Sequence, residues 1–130
     1  MPPVPTISII DDDASIRVST SRLVRALGYC AHTFASADEF LSSCRVADTG
    51  CIISDVQMPG TSGIELQSIL NEQGRSLPII FITAYPEEII RDRALANGAV
   101  AFLGKPFDGS RIAEHIDRAL QKHGEGAFEA

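Results

Sequence analysis

The stretch CIISDVQMPG, residues Cys51–Gly60, decides the fold of this chain. It opens with the apolar run Cys51–Ile53, and such a run between turn residues is typical of a strand buried on both faces. The strand ends at a single carboxylate, Asp55. Pro59 and Gly60 then break regular structure, because proline lacks a backbone N–H and glycine tolerates positive φ. Asp55 is therefore predicted to lie where a buried strand leaves the sheet for a loop.

The composition indicates one globular domain of acidic character. The chain has 130 residues, of which 45% are hydrophobic and 22% are charged, a balance that suits one domain with one core. Its formal net charge of −6 argues against direct nucleic acid binding and favours a site that holds cations. No apolar run approaches the length of a membrane span, and no secretory signal precedes the first strand. The cysteines Cys30, Cys44 and Cys51 form no CxxC pair and are expected to be reduced thiols of a cytoplasmic protein.

Strands and helices alternate five times along the chain. Apolar or β-branched segments predict strands at Thr6–Ile10, Cys30–Phe34, from Cys51, Ile79–Thr83 and Val100–Leu103. Helical spacing of apolar residues predicts helices from Ala14 to Leu27, Ser36 to Arg45, Ser62 to Gly74, Pro86 to Asn97 and from Asp108 onwards. Alternation of this kind implies a parallel sheet with helices on both faces, and right-handed crossovers reduce the topology to a doubly wound α/β sheet.

Several helix ends carry capping signals. Ser36 and Glu39 fit a capping box at the start of the second helix. Gly28 and the pair Asn97-Gly98 are predicted to end the first and fourth helices. Pro86 fits the first turn of the fourth helix, since its missing N–H needs no partner there.

Polar side chains end four of the predicted strands. They are Asp11 and Asp12 after the first strand, Asp55, Thr83 and Lys105. Each has a simpler explanation on its own, as a helix cap, a satisfied hydroxyl or a solvated surface charge. The carboxyl ends of parallel strands meet at one edge, however, where open α/β sheets bind their ligands. Three acids, one hydroxyl and one amine at the same edge therefore indicate a site.

The residue types at this edge suit phosphoryl chemistry with a hard metal ion. Clustered carboxylates repel one another, and oxygen ligands without neighbouring His or Cys favour Mg²⁺ over zinc. A carboxylate can accept a phosphoryl group as aspartyl phosphate, and a lysine can pair with the phosphoryl oxygens. No histidine lies near these strand ends to act as a base for rapid release. His32, His115 and His123 are expected to be structural or surface residues.

The order of these motifs resembles the receiver domain of two-component response regulators. The matching pieces are IIDDD after the first strand, SDVQMPGTSG at the third, FITA at the fourth and FLGKPF at the fifth, which cover about residues 6–122. FITA and FLGKPF are most similar to FixJ-type regulators. The resemblance implies a flavodoxin-like receiver fold, with a five-stranded parallel sheet in the order 2-1-3-4-5 and five helices.

The resemblance also implies how the acidic edge works. Asp55 would accept a phosphoryl group from the phosphohistidine of a sensor histidine kinase or a phosphotransfer protein. Asp12 would bind Mg²⁺ directly, Asp11 would bind it mainly through water, and the backbone carbonyl of Gln57 would complete the protein's share of the metal shell. Asp13 is expected either to cap the first helix or to remain in solvent.

Further residues would transmit the signal. Thr83 and Lys105 would contact the phosphoryl oxygens, and Phe102 would turn inward as Thr83 moves toward the phosphate. The peptide between Lys105 and Pro106 would be cis. The output face would be the fourth helix, fifth strand and fifth helix, roughly residues 86–120, and it could support a phosphorylation-dependent homodimer.

The boundaries and the output are predicted more broadly. The receiver domain is assigned to residues 1–124, and residues 125–130 are expected to be a disordered tail or the start of a linker. Output would come either from stand-alone protein contacts or from the receiver part of a transcription regulator. Neither a membrane nor nucleic acid is expected as a direct partner of this chain.

Two other function classes remain open. An aspartyl-phosphate phosphatase of the haloacid dehalogenase type would carry a second acid at the position of Gln57. A binding module independent of phosphate would use the acidic edge for a metal or a partner, while a flavin-binding module would want a phosphate loop at Asp11–Asp13. The chain is expected not to be a dedicated enzyme, although it would promote its own phosphorylation and slow hydrolysis of the product.

Overall fold

A computed structural model describes residues 4–105 and 107–129, with side chains described up to residue 121. The strands are β1 (Thr6–Ile10), β2 (Cys30–Phe34), β3 (Thr49–Asp55), β4 (Ile79–Thr83) and β5 (Ala101–Gly104). The helices are α1 (Ala14–Ala26), α2 (Ala37–Ser42), α3 (Gly63–Glu72), α4 (Glu88–Ala96) and α5 (Gly109–Glu129).

The five strands form one parallel sheet in the order β2-β1-β3-β4-β5. This order confirms the predicted fold class. β3 lies at the centre and pairs with β1 on one side and β4 on the other. Because all pairings are parallel, the carboxyl ends of all five strands meet at a single edge.

Two apolar layers hold the helices against the sheet. On one face, Phe40 of α2, Leu66 of α3 and Ala94 of α4 pack with the cluster that contains Ile52. On the opposite face, α1 and α5 pack with the cluster that contains Ile53. Neighbouring residues of β3 thus serve opposite layers, as the alternation of side chains along a strand requires. Because both faces of β3 are covered by apolar layers, the apolar run of this strand is continuous.

The central strand begins earlier than predicted. Thr49 and Gly50 already belong to β3, whereas the sequence predicts that the strand begins at Cys51. The Thr49 side chain donates to the carbonyl of Arg45 and lies 2.7 Å from the hydroxyl of Ser8 on β1. These two contacts satisfy a polar side chain inside the sheet, and the second joins residues 41 positions apart in sequence.

Helix ends confirm some capping predictions and correct others. Gly28 and Gly98 have φ values of +97° and +101° and follow α1 and α4 as predicted stops. Leu27, predicted as the last residue of the first helix, is its C-cap and is 38% exposed. Ser43 leaves the helical conformation after α2, so this helix stops before Arg45.

The predicted capping box of α2 forms only in part. The Ser36 hydroxyl accepts from the backbone N–H of Glu39 at 3.0 Å, but the Glu39 carboxylate accepts from Ala35 rather than from Ser36. A complete box stands instead at the start of α3, between Ser62 and Glu65. The sequence predicts the helix start at Ser62 but not the capping box.

The fourth helix also starts later than predicted. Glu87 occupies the N-cap position of α4 and makes no side-chain capping bond, so Pro86 precedes the helix instead of lying in its first turn. Glu88 lies in the first turn, where its charge favours the helix dipole as expected.

The C-terminal helix runs further than predicted. α5 continues to Glu129, whereas the sequence predicts a tail from residue 125. Glycines at 124 and 126 weaken a helix but do not remove a backbone donor, so helical geometry remains accessible there. The domain boundary at residue 124 stays a prediction. The predicted cis peptide before residue 106 and the side chain of His123 lie outside the described residues.

The thiols and helices of the described chain add two observations. Cys30 and Cys44 are free and exposed, whereas Cys51 is buried, and this burial raises the pKa of its thiol to about 12. Within residues 4–105 and 107–129, none of the helices combines the length and apolar character that crossing a membrane requires.

Candidate functional site

The edge formed by the strand ends brings the predicted residues together. Asp11 follows β1, Asp55 is the last residue of β3, Thr83 is the last residue of β4, and Lys105 follows β5. Backbone bonds continue the sheet beyond the strands, from the N–H of Asp11 to Phe34 at 3.1 Å and from the N–H of Lys105 to Thr83 at 2.7 Å. Sheet geometry therefore fixes the four positions relative to one another.

Lys105 bridges the two buried acids of the site. Its Nζ donates to Oδ2 of Asp11 at 3.0 Å and to Oδ2 of Asp55 at 2.9 Å. Burial alone would lower the pKa of the lysine, but the hydrogen bonds to Asp55 and Asp11 outweigh it and raise the pKa above its usual range. The amine is therefore cationic, and it holds together two carboxylates that would otherwise repel each other.

Asp11 and Asp55 have different surroundings. Asp11 is fully buried, and this burial raises the pKa of its carboxyl despite bonds from Lys105 and from the N–H of Asp13. Asp55 keeps 6% of its surface exposed, and its Oδ1 accepts from the backbone N–H of Gln57 at 3.2 Å. Asp55 thus has one oxygen on the loop backbone, the other on the lysine, and a narrow opening to solvent.

Three carboxylates form a set of potential metal ligands. Asp11, Asp12 and Asp55 each bring one oxygen within 4.8 Å of the others, and they are the group of this kind found among the described residues. Asp12 is exposed while the other two are buried, so the set opens toward solvent through Asp12. A cluster of oxygen donors without sulfur or imidazole fits a hard divalent cation such as Mg²⁺.

Asp13 is a helix cap rather than a fourth member of the set. Its Oδ1 accepts from the backbone N–H groups of Ser15 and Ile16 at 2.8 and 3.3 Å, which satisfies donors in the first turn of α1. Of the two roles that the sequence left open, the structure assigns the cap. The three consecutive acids therefore divide into two potential ligands and one structural residue.

Thr83 and Phe102 occupy neighbouring strands on the path from the site to the core. Thr83 is 1% exposed, and its hydroxyl accepts from the N–H of Tyr85 at 3.1 Å. Phe102 is half-buried on β5, with its ring 6.4 Å from that of Phe81 on β4. A switch between them stays a prediction, as does the metal-binding role of the Gln57 carbonyl.

Sequence reasoning missed one basic residue at this edge. The guanidinium of Arg17 on α1 donates from Nη1 to the backbone carbonyl of Asp11 at 2.6 Å. Its position, six residues after Asp11 and one turn into α1, is the signal that would have placed it near the site. It adds a second cation beside the acids and restrains the loop that carries Asp11 and Asp12.

Comparison with known proteins now identifies the family. The sequence profile described as the response regulator receiver domain matches residues 7–117. The chain belongs to this family. The predicted family is thereby confirmed, and a receiver domain of a two-component system is a signalling module rather than a dedicated enzyme.

Individual relatives agree with this assignment. The receiver domain is 36% identical to the transcriptional regulatory protein TdiR of Thauera aromatica over 115 residues, covering 88% of this chain and 51% of the relative. It is also 36% identical to the transcriptional regulatory protein FixJ of Bradyrhizobium diazoefficiens over 116 residues, covering 89% of this chain and 57% of that protein. The predicted similarity to FixJ-type regulators is confirmed.

A solved structure gives the same result in three dimensions. The structure of the response regulator StyR superposes with a TM-score of 0.90 at 38% identity, and the match covers 98% of this chain and 64% of that one. The chain spans about half the length of the curated relatives it matches.

Proposed function

We propose that this receiver domain accepts a phosphoryl group on Asp55 from the phosphohistidine of a sensor histidine kinase or of a phosphotransfer protein. The observation that carries the proposal is the position of the Asp55 carboxylate. It lies at the acidic edge, 6% exposed, with Oδ2 only 2.9 Å from a half-buried cationic amine. A phosphoryl donor can reach an acid in this position, and the nearby amine stabilises the negative charge that the phosphoryl group brings.

The transfer is a displacement at phosphorus. An Asp55 carboxylate oxygen forms the new P–O bond while the P–N bond to the donor imidazole breaks, and the imidazole nitrogen retains the electron pair and is protonated. Lys105 can pair with the oxygens of the transferred phosphoryl group, because its Nζ already contacts the accepting carboxylate. The Thr83 hydroxyl is a second donor for the phosphoryl oxygens.

Mg²⁺ is the proposed cofactor, held by the carboxylates of Asp11, Asp12 and Asp55 and by the backbone carbonyl of Gln57. The donor set supports this, since three carboxylate oxygens lie within 4.8 Å of one another. A divalent cation at this place supplies charge neutralisation between the acids and the phosphoryl group. Hydrolysis of the product is proposed to be slow, because the cluster around Asp55 contains no histidine among the described residues.

Phosphorylation is proposed to act by population shift. The added charge makes new contacts with Thr83 and Lys105, and Phe102 turns inward as Thr83 moves, which favours one arrangement of the α4, β5 and α5 face. That face then engages a second copy or a downstream target.

DNA binding, if the complete protein resembles TdiR or FixJ, is proposed to reside outside these residues. Two exposed free thiols suit a reducing cytoplasm.

The first experiment is intact-mass spectrometry after incubation with acetyl phosphate, with Mg²⁺ or with EDTA, on wild type and Asp55→Asn. We expect a single phosphoryl adduct that needs the metal and is absent from Asp55→Asn. No adduct on a folded wild-type protein would overturn the proposal and leave a phosphate-independent metal or partner site at this edge.

A further inference from the structure

The first residue of α3 lies directly against the peptide that carries the phosphoacceptor. Gly63 is buried, and its N–H donates to the carbonyl of Val56 at 2.9 Å. A Cβ at this position would fall inside the contact distance of the Asp55 carbonyl oxygen, 3.1 Å from Cα of Val56 and 3.0 Å from a ring carbon of Phe81. Backbone atoms on one side and an aromatic ring on the other leave no space for a methyl group.

This requirement is steric rather than conformational. Gly63 is not among the glycines with positive φ, so an alanine would accept its backbone angles. The glycine therefore serves close approach between α3 and the end of β3. Other glycines have more room, and at Gly50 the nearest atom is the flexible end of Leu120 at 3.0 Å.

The approach restrains Asp55 from two sides. Its backbone carbonyl is contacted by Gly63 on one side and accepts a hydrogen bond from the Ser54 hydroxyl at 2.8 Å. Rotation of the peptide between Asp55 and Val56 would also move the next peptide, and the N–H of Gln57 in that peptide donates to Oδ1 of Asp55 at 3.2 Å. Both oxygens of the carboxylate depend on this backbone, since Oδ2 must also reach Lys105 at 2.9 Å.

We propose that Gly63 is a positioning residue for the phosphoacceptor: by letting α3 touch the Asp55 carbonyl, it fixes the peptide that aims the Asp55 carboxylate. This inference rests on the proposed function for its kinetic consequence, but its geometric part concerns the protein alone. A methyl group at residue 63 would push the Asp55 carbonyl out of place, because the Phe81 ring and the Val56 backbone leave the methyl group no other space.

The test is Gly63→Ala, with Gly50→Ala on β3 as the matched control. Rates of phosphorylation by acetyl phosphate are followed by intact mass at saturating Mg²⁺. We expect at least a tenfold slower rate for Gly63→Ala and a rate within twofold of wild type for Gly50→Ala. Equal rates for both folded variants would overturn the proposal.

A second variant separates positioning from crowding of the core. Phe81→Leu removes the ring carbon next to residue 63 but leaves the Asp55 carbonyl in place. We expect the double variant Gly63→Ala/Phe81→Leu to be phosphorylated at least tenfold more slowly than wild type. Restoration of the rate by Phe81→Leu would show that overpacking against the ring, and not the acceptor peptide, caused the defect.

The amide chemical shift of Gln57 gives a readout that needs no phosphoryl group. We expect it to move in Gly63→Ala and to stay in Gly50→Ala, because only the former disturbs the hydrogen bond to Asp55. If wild type itself takes up no phosphate, the proposed function fails, while the Gln57 shift still decides the positioning role. An unchanged shift would refute it.

Should Gly63→Ala fail to fold, Ser54→Ala replaces it, since it removes the other contact to the same carbonyl without adding bulk. We then expect a slower rate and a displaced Gln57 amide. A folded Ser54→Ala protein with wild-type values of both would overturn the proposal.

Discussion

At the scale of single residues, Lys105 supplies the positive charge that offsets the acids of the site. It is the amine shared by two acids, one of them wholly buried. Its pKa is raised in the folded state, so its contribution to stability is complete below the unfolded pKa of 10.5 and is lost only as the pH rises through the folded value. At neutral pH the full effect is therefore present.

Lys105→Met is expected to lower the free energy of unfolding by about 2 kcal/mol at pH 7 without metal, because two carboxylates then lose their shared cation. Millimolar Mg²⁺ should recover most of the loss, since a divalent cation can replace the amine between the same acids. Urea denaturation with and without Mg²⁺ measures both effects.

The control is Arg45→Met, which removes an exposed partner of Asp48 and should change stability by less than about 1 kcal/mol. A Lys105→Met deficit that Mg²⁺ leaves unchanged would argue against metal binding by the acids that the lysine bridges.

His115 contributes a pH dependence of its own on α5. Burial, followed by the charges of Arg118 and Arg111, lowers the pKa of its imidazole below 6.5, and Glu114 opposes this weakly. The unfolded chain then binds the proton more readily, so the free energy of unfolding should fall as the pH drops from 6.5 toward the folded pKa. We expect His115→Gln to flatten this part of the curve, measured by denaturation between pH 7 and 5. The same change at His32 serves as control, and equal slopes for all three proteins would contradict the assignment.

At the scale of elements, the acidic loop before α1 separates capping from ligand function. Asp13→Ala should cost about 1 kcal/mol of stability, because the N–H groups of Ser15 and Ile16 lose their acceptor. Asp13→Asn should cost less, since an amide oxygen also caps. Neither change should alter Mg²⁺ affinity measured by calorimetry. A tenfold weaker affinity for Asp13→Asn would place this acid among the ligands.

The sequence predicts an element correctly where the pattern of apolar residues alone identifies it. Continuous apolar runs predict β3 and β4 because both faces of these strands are buried. The edge that joins Asp11, Asp55, Thr83 and Lys105 follows from parallel alternation alone. The roles within it came from family resemblance, because charge and spacing do not distinguish an acceptor acid from a ligand.

What escaped prediction depends on contacts whose partners are chosen by the folded chain. Thr49 joins β3 because the hydroxyl of Ser8 meets it across the sheet. Glu39 has two backbone N–H groups within reach, and the path of the chain before α2 selects Ala35. Arg17 becomes part of the site only through the loop carbonyl of Asp11. The Thr49 and Glu39 contacts follow from no local pattern, whereas the spacing between Asp11 and Arg17 is visible in the sequence.

At the scale of the whole molecule, α4 is the least embedded of the helices on its face. Ala94 is its one buried residue, while Ile89 is 83% exposed and Tyr85, just before the helix, is 68% exposed. Copies that each carry a net charge of −6 repel, so an apolar contact is needed to hold two of them together.

Ile89→Ser is therefore expected to abolish phosphorylation-dependent dimerisation without changing the phosphorylation rate. Val18→Ser, which alters an apolar residue on α1 that is 51% exposed, should dimerise as wild type does. Sedimentation equilibrium with acetyl phosphate and Mg²⁺ measures both. Full dimerisation of Ile89→Ser would place the contact on another surface.

The salt bridge between Lys105 and Asp11 joins residues 94 positions apart. During synthesis, Asp11, Asp55 and the whole of β3 leave the ribosome before the amine that pairs with these two acids. A nascent chain therefore carries the acids without their cation until β5 has emerged and docked.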